Sequence, residues 1–252
     1  MNKSIIPIFS SHFSAGKSIL TVEKAEEISE IKPVSVFSIA KQHKLEEVCL
    51  VENNFSGFIN SYKAALDSDV YLRFAIKLAV CSNALDLSPE SMKTESKVII
   101  WMKNSKGYKD LIRIYSYAAT KGFFHIPRID WKTLQSMWTE NLFMSIPSYA
   151  SFLHRNMLER YECIPEFGKI KPNIMYSRMG LPFDYIIEDA HRVYAKNNHL
   201  ELVECHPVRF YSEKYFQAYY TYGCIARKSS LSDPKADHFG SREFCWSSYL
   251  KK

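Results

Sequence analysis

Val98-Ile99-Ile100-Trp101-Met102 places five apolar residues in a row, and Asn104-Ser105-Lys106-Gly107 follows almost at once. A run this short, flanked by lysines and closed by turn residues, predicts a buried strand. Beyond the turn, Tyr108–Thr120 predicts a helix, with Leu111, Ile112, Tyr115 and Ala118 or Ala119 near one face. Gly122 stands where that helix should be capped. The same alternation extends in both directions. Ile5–Phe9 predicts a strand with the polar loop Ser10–Ser18 behind it, and Val34–His43 predicts a helix. Glu47–Val51 is a strand followed by a turn at Asn53, Asn54 and Gly57; Phe58–Leu66 is helical and Leu72–Val80 is a strand. Near the end, Tyr185–Asn198 is helical and Leu200–Cys205 is a strand. This rhythm predicts parallel strands covered by helices, and 252 residues suit one barrel spanning 1–252 as a single domain.

Composition excludes more than it selects. Hydrophobic residues at 46% and charged residues at 24% describe a chain able to bury a core, which excludes disorder. The net charge of +6 is spread, with +3 in residues 1–150 and +3 in 151–252, so neither half is a basic tail. Dedicated nucleic-acid binders cluster their charge, and DNA binding is only weakly indicated. The six cysteines contain no CxxC pair, the pattern of reduced thiols in a cytoplasmic protein. No stretch approaches a membrane span, and Ile5–Phe9 is too brief for a signal-peptide core.

Candidate chemistry is sparse. Gly16-Lys17-Ser18 follows a strand, but a phosphate-binding loop needs a glycine at position 11, where Ser11 stands. His12, Glu52, His125 and His206 lie at or near predicted strand ends, where a barrel would gather ligands. None of the eight histidines has another two residues away, and Glu204-Cys205-His206 runs directly into Pro207. No GxSxG and no recognisable catalytic cysteine is present. The aromatic run Phe210–Tyr222 could stack bases, although tyrosines at 211, 215, 219 and 222 also describe a packing face of a helix.

A resemblance decides between these possibilities. Asn104-Ser105-Lys106-Gly107-Tyr108-Lys109-Asp110-Leu111, with Gly122-Phe123 through Pro127-Arg128-Ile129-Asp130, closely resembles the polymerase-and-histidinol-phosphatase (PHP) domain of the bacterial DNA polymerase III alpha subunit. Asn54-Phe55-Ser56-Gly57-Phe58 with Tyr62-Lys63-Ala64, the helix from Leu181-Pro182-Phe183-Asp184 to Asn198, Ser232-Asp233-Pro234 and Phe244–Leu250 fall in the family's order. The likeness weakens over 149–180.

The resemblance implies an α/β fold, a distorted (β/α)7 PHP-type barrel, with a trinuclear metal cluster for phosphoester hydrolysis at its strand ends. Carried over position by position, most of that cluster is replaced. The family's first ligand pair falls on Ser10 and His12, and its T-D-H on Val51, Glu52 and Asn53. Its next glutamate falls near Lys77, and its late D-x-H on Pro207 and Arg209. Loss of these ligands implies a catalytically inactive scaffold with no cofactor. If the site were active, His12, Glu52, His125 and His206 would carry it, with Mn²⁺ or Zn²⁺ as cofactor in a phosphoesterase or 3′-5′ exonuclease. A chain ending at Lys252 leaves no room for polymerase modules, so a stand-alone module of a split or virus-encoded replication system is expected. Its partner would be a polymerase, proofreading exonuclease or clamp.

Overall fold

A computed structural model describes residues 5–29, 32–233 and 239–252. Met1–Ser4 and Pro234 of the closing segment lie outside the described residues. In chain order the elements are β1 (Ile6–Phe9), α1 (Val36–Gln42), β2 (Glu47–Glu52), α2 (Phe58–Asp67), β3 (Tyr71–Cys81), β4 (Ser96–Met102), α3 (Ser105–Thr120), β5 (Arg128–Asp130) and α4 (Trp131–Met137). There follow β6 (Leu142–Ile146), α5 (Phe152–Leu158), β7 (Asn173–Tyr176), α6 (Asp184–Asn197), β8 (Leu202–Val208), α7 (Phe216–Arg227) and α8 (Trp246–Tyr249). The strand order is β2-β1-β8-β7-β6-β4-β3-β5, and β2 also pairs with β3. Seven strands therefore close a ring clothed by helices, an α/β barrel of the (β/α)7 type, and β5 is an added strand alongside the last residues of β3.

The chain divides into two compact units. One comprises residues 1–74, 178–182 and 205–252, the other residues 75–177 and 183–204. In the first, β1 pairs in parallel with β2 and with the end of β8. Phe9, Phe37, Ile39, Leu50 and Trp246 are fully buried there. In the second, β4 is antiparallel to both β3 and β6, which corrects the expectation of uniformly parallel strands. The connection from β3 to β4 holds only the 3-10 turn Pro89–Thr94, and without a crossover helix the chain must reverse.

The strand and helix at 98–120 form as their residues dictate, with local corrections. Helix α3 begins at Ser105, three residues earlier than its apolar pattern suggests, because Asn104 caps it. The Asn104 side chain accepts from the N–H groups of Lys106 and Gly107, each at 2.9 Å. Its buried face is Gly107, Leu111, Ile114 and Ala118, whereas Ile112 and Tyr115 are only half-buried. Gly122 donates to Tyr117 O at 3.1 Å but does not adopt the left-handed cap conformation. Glycine is needed there because an added Cβ would press on the carbonyl oxygen of Arg128.

Gly107 is constrained in the same way. A Cβ would strike the carbonyl oxygen of Asn141, which already accepts the Lys103 N–H at 2.9 Å. Gly107→Ala is therefore expected to lower stability by about 1–3 kcal/mol, the usual range for forcing extra volume into a packed site. Urea unfolding checks this through a lower midpoint with an unchanged slope.

Strand β8 continues through His206 and Pro207 to Val208, three residues past its predicted end. The tyrosine spacing also needs correction: Tyr211 and Tyr215 precede α7, and only the later aromatics lie on it.

Candidate functional site

Ser10, His12, Glu52, Asn53, His206, Pro207 and Arg209 lie in the first unit, and Lys77 and His125 in the second. Glu52 is the last residue of β2 and is 1% exposed. One carboxylate oxygen accepts the Ser11 N–H at 2.8 Å, and the other accepts the Ser14 hydroxyl. Ser14 Oγ in turn accepts the Asn53 N–H at 2.9 Å, and the Ser10 hydroxyl donates to Val51 O at 3.0 Å. The carboxylate thus ties the loop after β1 to the end of β2. Burial pushes the Glu52 carboxyl above its ordinary range, and the donors from Ser11 and Ser14 oppose that rise.

The other candidates are engaged elsewhere. His12 bonds Leu20 O twice, through its N–H at 2.8 Å and its ring Nδ1 at 3.3 Å, and its ring packs on Phe13. His206 is fully buried inside β8, with Nε2 3.2 Å from Cys245 O and its ring edge-on to Tyr249. Burial and the nearby Lys252 ammonium push its pKa down to about 4. Arg209 donates to the Tyr219 hydroxyl at 2.7 Å and lies 3.9 Å above the Phe244 ring. It thus caps an aromatic cluster, and among the described residues it pairs with no carboxylate. Pro207 is half-buried in the strand, and Asn53 is exposed.

His125 is separate from all of these. It is an exposed residue at φ 60° inside a small hairpin before β5, and not at a barrel strand end. Lys77, on β3, donates from Nζ to Tyr149 O at 3.3 Å. Gly16-Lys17-Ser18 opens no helix. Gly16, at φ 71°, lies against α7, and the Ser18 hydroxyl donates to Arg209 O at 2.8 Å.

This donor set does not fit a metal cluster. Both oxygens of Glu52 are taken by protein donors, and one ring nitrogen of each histidine, Nδ1 of His12 and Nε2 of His206, faces a backbone carbonyl. Among the described residues, no three His, Cys, Asp or Glu side chains converge on one point. All six cysteines are buried and unbridged, and burial pushes the thiols of Cys49, Cys81 and Cys163 up to about 12, out of the nucleophilic range.

Of the aromatic run, Phe210 and Tyr219 are buried and stacked 4.9 Å apart. Tyr211 and Tyr215 instead line an apolar groove of about 280 Å³ with Ile19, Leu20, Val34 and Ala218.

Sequence reasoning missed the serines of the Ser11–Ser14 loop and the buried group around Arg128. The guanidinium of Arg128 sits between Ser91 and Glu95 in the second unit. A charged residue inside the apolar stretch Ile126–Ile129 was the available signal.

A family model described as the PHP domain matches residues 27–202. Over 244 residues the chain is 23% identical to the DNA polymerase III subunit alpha of Borreliella burgdorferi, covering 92% of this chain. It spans only 21% of that relative's length. A solved structure from Bifidobacterium adolescentis, of a proposed metal-dependent phosphoesterase, aligns with a TM-score of 0.40 at 8% identity, covering 81% of this chain and 88% of that one. Among the described residues, no helix is long and apolar enough to cross a membrane.

Proposed function

This chain belongs to the PHP domain family, and on that premise we propose that it is a non-hydrolytic binding module of DNA replication. It docks on a replication protein, a polymerase, proofreading exonuclease or clamp, and does not cleave phosphoesters. The carrying observation is the state of Glu52. It is the carboxylate at the family's metal-ligand position, it is buried, and it is spent on the Ser11 N–H and the Ser14 hydroxyl. Burial also favours its neutral form, which is a poor ligand for a divalent cation. Arg209 adds fixed positive charge at another of the family's ligand positions. The likeness to a polymerase III alpha subunit supports the replication context.

The test is direct. Titration of the purified chain with Mn²⁺ or Zn²⁺ should give no stoichiometric binding, and phosphoester and 3′-labelled DNA substrates should survive unchanged. Purification from the native host should recover polymerase, exonuclease or clamp subunits. Stoichiometric metal with hydrolysis that disappears in His12→Ala and Glu52→Ala would establish the hydrolytic alternative instead.

A further inference from the structure

The first unit carries a surface channel with an apolar half and an acidic half. The apolar half is the groove of about 280 Å³ lined by Tyr211 and Tyr215, with Leu20 and Val34 buried at its floor. The other half, of about 320 Å³, is lined by Glu23, Glu26 and Glu27. Lys32, Pro33 and Val34 border both halves, so the two run into one another.

The protein itself holds the two tyrosines of the apolar half in place. The Tyr215 hydroxyl donates to Ser29 O at 3.4 Å, and the Tyr211 hydroxyl accepts from Gln42 Nε2 at 3.3 Å. With their polar ends engaged, the half-buried ring bodies are left to line the groove. The acidic half carries unpaired charge. Lys32 takes Glu26 at 2.8 Å, and Lys24 lies 3.8 Å from Asp67. Glu23 and Glu27 are exposed and, among the described residues, pair with no cation.

These two halves select one occupant. An aromatic-lined apolar groove suits a polyproline-II segment, whose backbone has no internal hydrogen bonds and stays solvated. Its prolines already hold their bound conformation, so docking costs little ordering entropy. The unpaired carboxylates further along the channel complement a cation on the same segment. We propose that the channel docks an extended proline-rich segment of a partner protein. Prolines pack on Tyr211 and Tyr215, and an arginine or lysine of the segment meets Glu23 and Glu27. The inference rests on reading the chain as a docking module, but not on the partner being a replication protein.

Fluorescence anisotropy with the full chain tests it. The probes are two labelled peptides of repeating Pro-Pro-Ala, one beginning and one ending in Arg-Arg, because the channel fixes no chain direction. At least one should bind saturably, and raising NaCl from about 50 to 500 mM should weaken it at least about threefold through screening. Tyr215→Ala should weaken binding at least about tenfold, the loss of a central aromatic contact, and Tyr215→Phe should keep it. Glu23→Gln combined with Glu27→Gln should weaken it about threefold and remove the salt dependence. Both glutamates are exposed, so this variant decides the matter should Tyr215→Ala fail to fold. The proposal is overturned if neither peptide binds, or if peptides with alanine for proline or glutamate for arginine bind as tightly. Self-association that Tyr215→Ala abolishes would seat a second copy in the groove and overturn it too. Replication subunits recovered with a chain that binds neither peptide would sink this inference and keep the docking reading. Peptide binding that follows the pattern above, without those subunits, would do the reverse.

Discussion

Replacing Arg128 by methionine is expected to lower stability by about 3–5 kcal/mol, the range for removing one partner of a buried ion pair. Arg128 is fully buried and its guanidinium has four acceptors. Nη1 donates to Ser91 Oγ at 2.9 Å and Glu95 Oε1 at 3.0 Å; Nη2 donates to Ala84 O at 3.3 Å and to Asp86 O. Its planar head also lies 4.8 Å above the Phe124 ring. One residue thus fastens the turn from 84 to 95 onto the start of β5. Methionine fills similar volume, so the loss comes chiefly from stranding the Glu95 carboxylate in a dry site. Two controls separate charge from packing. Arg128→Lys should also lose stability, because a single ammonium cannot reach four separated acceptors. Arg128→Met combined with Glu95→Gln should recover a large part, because the stranded charge is gone. Urea midpoints of the four proteins check this. If Arg128→Met alone unfolds at the wild-type midpoint, the pair contributes nothing and the argument fails.

Acidification provides the second large effect. His206 and His154 are 0% and 4% exposed, and each has its pKa pushed from the ordinary 6.5 to about 4. Desolvation is the leading cause for both; the Lys252 ammonium adds to it at His206, and Lys77 and Arg155 add to it at His154. The unfolded chain takes up protons below pH 6.5 that the folded chain refuses until about pH 4. Stability is therefore complete above 6.5 and falls as pH drops towards 4. At about 1.4 kcal/mol per pKa unit, the two histidines together account for a loss on the order of 5 kcal/mol. Glu52 works in the opposite sense, because its raised pKa favours the folded form as its carboxyl protonates. Urea midpoints between pH 7.5 and 4.5 should decline, and His206→Gln and His154→Gln should each flatten the decline. A midpoint that stays level from 6.5 to 4.5 would contradict the burial of neutral histidines.

Legibility in the sequence followed element length. Val98–Met102 declares itself a strand because an unbroken apolar run can only be buried on both faces. Arg128–Asp130 and Asn173–Tyr176 have three and four residues, too few for any periodicity, and their strands come from pairing with β3, β6 and β8. The reversed direction of β4 was equally hidden, because an apolar run reads the same from either end. His206 was visible as a ligand-type residue, but its burial against Cys245 comes from a contact 39 residues away.

By itself, the sequence determined the element rhythm and the family likeness, because these are local patterns or matters of residue identity. The glycines at 107 and 122 were visible as motif letters, although their physical reason, a carbonyl oxygen where a Cβ would sit, appears only in the packed chain. Only the tertiary structure decided what the candidate site residues touch. The Glu52 carboxylate and the Ser11–Ser14 loop that consumes it lie 38 to 41 residues apart. Lys77 and Lys97 became neighbours only through the antiparallel register of β3 and β4. A side chain's partners are set by what the fold places within about 3 Å of it, the reach of a hydrogen bond, and neither charge nor spacing along the chain carries that distance.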